Sequence, residues 1–407
     1  MIDYRSQGHL PDKPHTVFRD EGSIGAGGLY HEECLTQLGF DGPFSILYHR
    51  HPPQDHGHAE AAPALWPAAQ EVPGGGDEPL RRRHLQTWDL PPAGTATTGR
   101  VPLMFNDDVT VGFVRPETSP TSGAAVADDF YFVNGDGDDC FYVHEGAGEV
   151  RSGFGVLPFG PGDYVIIPRG VIHRFVLEPG PQRWLWVEAR TGWRPLKQYR
   201  NPAGQLRMDA PYTHRDFRAP VLDGDPDPEP PTAPSGAHVV ISKRRGRFTR
   251  HLWPHPPLDV VGWDGFVYPV VFPIARFSAK AGAVHLPPTV HGTFATDGAL
   301  LCSFVPRTVD FGDGAIPCPY PHSSVDVDEL IFYCDGDFTS RRGLREGSVS
   351  FHPAGIPHGP HPGAYEGSIG VKEVDELAVM LDTFKPLKLT AQARAIEDAA
   401  YDESWSR

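Results

Sequence analysis

Apolar residues along this chain come in short alternating or unbroken runs, separated by clusters of Gly, Pro, Asn and Asp. That spacing is the period of β-strands, not of helices. Phe44–His49 is one such run. A dense set follows between about 100 and 190: Val109–Val114, Phe130–Val133, Cys140–Val143, Tyr164–Ile167 and Trp184–Val187. A second set spans about 238 to 385, with Leu300–Val305, Leu330–Tyr333, Val349–Phe351 and Glu376–Phe384. Residues 51–85, rich in Pro, Gly and Ala, predict a long surface excursion. Asp223–Gly236 carries so many prolines that it reads as a stiff linker unable to join a sheet. Thr390–Tyr401 is the clearest helix, with a Thr cap, alanines and no breaker. The expected organisation is an N-terminal strand and loop region over 1–100 and a first barrel over 101–220. A linker over 221–237, a second barrel over 238–389 and a helical tail over 390–407 complete it. The fold class is all-β dominated.

One pattern is written twice. Gly162, Pro168, Gly170 and His173 have the same G-x5-P-x-G-x2-H spacing as Gly347, Pro353, Gly355 and His358. A glycine turn starts an apolar strand, a Pro-x-Gly turn ends it, and a histidine is delivered to the rim. Two copies at a domain-sized separation mark a duplicated small β-barrel. The pattern resembles the second conserved motif of the cupin superfamily, a jelly-roll type. Aligned on the turn glycines Gly146 and Gly336, Asp139 matches Glu329 and Phe132 matches His322. The second copy thus offers two imidazoles and a carboxylate, where the first offers a phenylalanine, a carboxylate and a histidine. Two histidines and one carboxylate with positions left open suit non-haem Fe(II) and O2 chemistry. Zinc fits the same ligands but performs no redox step. His173 reads as a packing residue, His352 as a hydrogen-bond support, and His361 as a rim or supporting residue.

Composition narrows the field. At 407 residues the chain is long enough for two small barrels, and 45 Gly with 44 Pro suit a turn-dense, strand-rich protein. A net charge of −16 opposes binding to nucleic acid or an anionic membrane surface. No long apolar run predicts a membrane span, and the start of the sequence has no apolar signal core. Five cysteines, an odd number without C-x2-C pairing, read as reduced thiols in a cytoplasmic enzyme.

Several segments then carry a more specific resemblance: His9–Thr16, Leu29–Glu33, Leu47–Pro53, Val260–Trp263, Phe304–Arg307, His322–Glu329 and Pro357–Pro360. In this order and at similar spacing they resemble the homogentisate 1,2-dioxygenase family, over most of the chain. The resemblance implies an enzyme that opens the ring of a small aromatic acid with O2, in tyrosine and phenylalanine catabolism, giving maleylacetoacetate. It implies one Fe(II) per chain, held by His322, Glu329 and His358, in a homo-oligomer (trimer or hexamer). It places the catalytic base at His285, in an H-x-x-P setting, with His291 as competitor, and substrate contacts at Phe338, His358 and His361. Two departures stand out. The family's six-residue interval between first histidine and glutamate is seven here, with Asp328 at the six position; Glu329 is kept because it holds register with the turn glycine. Phe338 stands where the family has a substrate-binding tyrosine. Rival readings are a non-redox metal-dependent isomerase or hydrolase on the same scaffold, and a non-catalytic bicupin.

Overall fold

The structure is a computed structural model that describes residues 2–19, 28–118, 123, 126–338 and 343–406. The repeated motif explains its own glycines. Gly162 and Gly347 have φ of 83° and 81°, and Gly170 and Gly355 both have 87°, a backbone that side chains other than hydrogen resist. Between these turns run the strands Asp163–Ile167 and Ser348–His352. Each pairs antiparallel with a carboxylate-bearing strand, Ile167 opposite Asp139 and His352 opposite Glu329. Phe132 lies opposite His173, and His322 and His358 exchange two backbone hydrogen bonds of 2.8 Å. The register therefore equates Asp139 with Glu329 and Phe132 with His322 in space.

Two seven-stranded sheets face each other in the first half of the molecule. One contains Tyr131–Asn134 and His173–Leu177, the other Asp138–Glu145, Asp163–Ile167 and Arg183–Ala189. Phe141 meets Phe175 edge-on across the gap at 5.5 Å between ring centroids, and Trp184 of its own sheet at 5.8 Å. Such pairs add about 0.5–1.5 kcal/mol each beyond the area they bury. A six-stranded sheet carries the second copy, in the order Gly292–Ala295, Ala299–Phe304, Glu376–Thr383, Asp328–Gly336, Ser348–His352 and Arg83–Gln86. A four-stranded sheet joins three N-terminal strands to Val260–Gly265. Among the described residues no sheet closes on itself; these are open sheets packed face to face. The apolar core is continuous between the halves, with Phe113 and Tyr142 both packing on Phe332.

Pairing crosses the sequence halves. His238–Arg244 pairs parallel with Tyr131–Asn134, and Val270–Pro273 adds to Asp163–Ile167. The excursion over 51–85 contributes an edge strand, Ala59–Ala62, and the buried Trp66, which meets Phe132 at 5.6 Å. The proline-rich 223–236 stretch is pinned by Asp227, which is 3% exposed and accepts from Tyr131, Arg151 and Arg174.

The C-terminal helix is shorter than its alanines predict. It covers only Ala391–Ala395, capped by Thr390, whose hydroxyl accepts from the Ala393 amide. The strand Arg83–Gln86 takes over the backbone beyond: the Gln86 amide donates to Ile396, and Asp398 donates to His84. Tertiary hydrogen bonds here replace the next helical turn.

Candidate metal centre

Strand alternation sorts the residues of Asp328–Gly336. Leu330 and Phe332 enter the main core, while Ile331, Tyr333 and the following Phe338 form a separate apolar cluster with Cys302 and Met380. Glu329 shares the face of Ile331 and Tyr333. It therefore stands at the end of an apolar wall, 7% exposed.

His322, Glu329 and His358 each offer one ligand atom, and these atoms all lie within 4.8 Å of one another. The two imidazoles meet at 4.4 Å between ring centroids, and His358 Nε2 is 3.9 Å from Glu329 Oε2. Each ring has Nδ1 3.3 Å from the carbonyl two residues before it, Tyr320 for His322 and Ile356 for His358. An Nδ1–H donated to that carbonyl leaves the Nε2 lone pair for a metal. His352, fully buried, places Nδ1 2.7 Å from Glu329 Oε1 and steadies the carboxylate. Asp382 lies opposite Glu329 in the sheet, and burial, then the Glu329 charge, pushes it up to about 7. The donor set is two neutral nitrogens and a carboxylate with a second, half-buried acid beside it, which fits a divalent cation.

Asp328 has another task. Its two oxygens accept from the amides of Ala354 and Leu387, both at 2.7 Å, on the opposite face of the strand. Its counterpart Asp138 does the same for Arg169 and Trp193.

His285 and His291 sit on the loop before Gly292–Ala295. His285 Nδ1 lies 3.2 Å from Asp310 Oδ2, and its ring packs on Tyr320 at 4.7 Å, two residues from His322. Among the described residues His285 Nε2 has no hydrogen-bond partner. His291 packs on Phe304 at 4.7 Å, and burial, then Arg307 and His285, pushes it down to about 3. Phe338 is buried edge-on against Tyr333. His361 is 1% exposed, with Nε2 2.9 Å from Ser404 Oγ. Asp310, Asp382, Ser404 and Trp405 were not singled out by motif. Only the fold brings them to the site, and a carboxylate at that sequence distance from His285 gives no local signal.

The first half shows what the same frame holds without this donor set. Asp139 is fully buried; burial raises its carboxyl, but Arg100 outweighs this and holds it below the usual range. Arg100 Nη1 is 3.0 Å from Asp139 Oδ2, and its guanidinium lies over Trp66, Phe132, Phe141 and Trp186 at 4.8–5.2 Å. The built-in cation answers the carboxylate there.

The family model described as homogentisate 1,2-dioxygenase N-terminal matches residues 122–274. The "Putative dioxygenase" of Saccharolobus solfataricus is 33% identical over 407 residues, covering 100% of this chain and 99% of its own. Homogentisate 1,2-dioxygenase of Rhodopseudomonas palustris is 28% identical over 95% of this chain and 88% of its own length. That of Bradyrhizobium diazoefficiens is 29% identical over 65% of this chain and 60% of its own. Among solved structures, a cupin 2 conserved barrel domain protein from Leptotrichia buccalis aligns over 74% of this chain and 96% of its own, at 11% identity and a TM-score of 0.31. The class is an enzyme of the dioxygenase kind on a duplicated, strand-built scaffold. Within that class, the chain belongs to the homogentisate dioxygenase-like family.

Proposed function

We propose that the protein is an Fe(II)- and O2-dependent ring-opening dioxygenase acting on homogentisate or a closely related hydroxylated aromatic acid. The carrying observation is the convergence of His322, Glu329 and His358 ligand atoms within 4.8 Å beside an apolar wall. Fe(II), when bound by those three residues, would supply the redox chemistry between ring and O2 and acidify a ring hydroxyl. The wall of Ile331, Tyr333, Phe338 and Met380 suits the flat face of an aromatic ring and excludes water from it. His285 is the base: with Nδ1–H held by Asp310, Nε2 is free to accept the ring hydroxyl's proton. His291, pushed down to about 3, is a poor acceptor near neutral pH. Phe338 carries no hydroxyl to hydrogen-bond the substrate, which widens the candidates to related hydroquinone or catechol acids. The family resemblance supports a homo-oligomer, and five cysteines outside any disulfide fit the cytoplasm.

Oxygen-electrode traces of the protein reconstituted anaerobically with Fe(II), given homogentisate and then gentisate, test the reading. One O2 consumed per substrate opened is expected. Turnover of either compound without O2 would establish the non-redox isomerase or hydrolase instead. His285→Gln should keep its metal and lose about 10²–10⁴-fold in turnover. His291→Gln should cost much less, and the reverse ranking moves the base to His291.

A further inference from the structure

The end of the chain closes on the back of the metal centre. Arg83–Gln86 is the edge strand beside Ser348–His352, and the C-terminal segment wraps around it. Arg82 Nε holds Asp402 Oδ1 at 2.9 Å, and Arg83 Nη1 holds Glu397 Oε1 at 2.7 Å. This anchoring lays Trp405 on His361, at 4.0 Å between centroids and 28° between planes, with the Arg82 guanidinium 4.5 Å from the same indole. Ser404 Oγ lies 2.9 Å from His361 Nε2. The indole also meets His352 edge-on at 6.1 Å. His352 in turn touches two of the three donors: its Nδ1 is 2.7 Å from Glu329 Oε1, and its ring lies parallel to His358 at 5.4 Å.

We propose that Trp405 and Ser404 are positioning residues for the metal: by fixing His361 and His352 they hold Glu329 and His358 in their ligating arrangement. This rests on the reading of His322, Glu329 and His358 as metal ligands. Groups that orient metal ligands typically govern affinity by about 10–100-fold, so the segment should matter to the ion through His361 and His352. Coupling is reciprocal. If the segment raises metal affinity, the metal must hold the segment closed by the same factor.

The test uses Co(II), which reports binding by its visible spectrum and does not oxidise in air as Fe(II) does. Trp405→Ala should weaken Co(II) binding about tenfold or more, Trp405→Phe should keep most of the affinity, and Ser404→Ala should fall between. Hydrogen exchange at residues 402–406 of the unmodified protein should slow on Co(II) addition, and should not respond in Glu329→Ala. Co(II) binding by Trp405→Ala as tight as in the unmodified protein, or exchange indifferent to the metal, overturns the proposal. If Trp405→Ala does not fold, Ser404→Ala and the exchange experiment decide. Failure of the unmodified protein to bind Co(II) at a site that Glu329→Ala removes would instead overturn the metal-centre reading itself.

Discussion

Each half of the molecule sets two carboxylates facing each other across neighbouring strands, the buried Asp139 and Glu188 in the first and the buried Glu329 with the half-buried Asp382 in the second. In the first half both are answered by the chain itself. Arg100 binds Asp139 and Lys243 binds Glu188, and Asn134 donates to Glu188 at 2.8 Å. In the second half the groups around Glu329 are the imidazoles of His352 and His358, and Asp382 is pushed up to about 7. A buried carboxylate costs several kcal/mol unless a cation or hydrogen bonds offset it. The first half offsets it with covalently attached cations, and the second sets imidazoles beside it, a donor set that fits a divalent cation. The scaffold is common to both: the same left-handed glycines, the same Asp clamp at Asp138 and Asp328, and a histidine whose Nδ1 faces the carbonyl two residues back at His173 as at His358. Among the described residues the halves differ chiefly at His322, where Phe132 stands in the first, and at Arg100, which binds Asp139 in the first.

The comparison breaks most visibly at the ligands. His322→Ala, Glu329→Ala or His358→Ala should each abolish metal retention and activity, while His173→Leu keeps one metal per chain. Metal analysis of the purified variants checks this, and two metals per chain, or an empty His173→Leu, would end the asymmetry. Next in size, Arg100→Met leaves Asp139 buried without its cation and should cost about 3–5 kcal/mol in urea unfolding without releasing the metal. Adding Asp139→Asn to that variant should recover part of the loss.

A pH experiment sharpens the contrast further. Burial, reinforced by Arg100, pushes His173 down to about 4, against an ordinary histidine value of roughly 6.5. Between those values the unfolded chain binds a proton that the folded one refuses, so stability falls as pH drops through the window and is level above it. The contribution is about 3 kcal/mol at most. His291, also pushed down, acts with the same sign. Metal-free His173→Leu should therefore lose less stability from pH 7 to 4.5 than the unmodified protein, measured by urea midpoints. The smallest effect is expected at the clamps. Asp328→Asn should cost about 1–3 kcal/mol and keep its metal, as should Asp138→Asn. Loss of metal from Asp328→Asn would return the ligand role to the six-residue spacing.

Much of this was legible along the chain. Strand periodicity located the Val109–Val114, Asp163–Ile167 and Asp328–Gly336 strands within a few residues, because a half-buried strand must alternate and a turn must carry glycine or proline. Alignment on the turn glycines Gly146 and Gly336 paired His322 with Phe132 and Glu329 with Asp139, since a strand's register ties side-chain direction to sequence distance. That local rule explains why Glu329 and not Asp328 joins the two histidines. What the tertiary structure alone decided is everything that reaches the site from far along the sequence. Arg100 enters the first half from a preceding strand, Asp310 meets His285 across a loop, and the predicted helix yields at Ala395 so that Trp405 can lie on His361. Charge compensation and packing act through space, so their partners leave no periodic trace in the sequence; only folding sets which cation answers which buried acid.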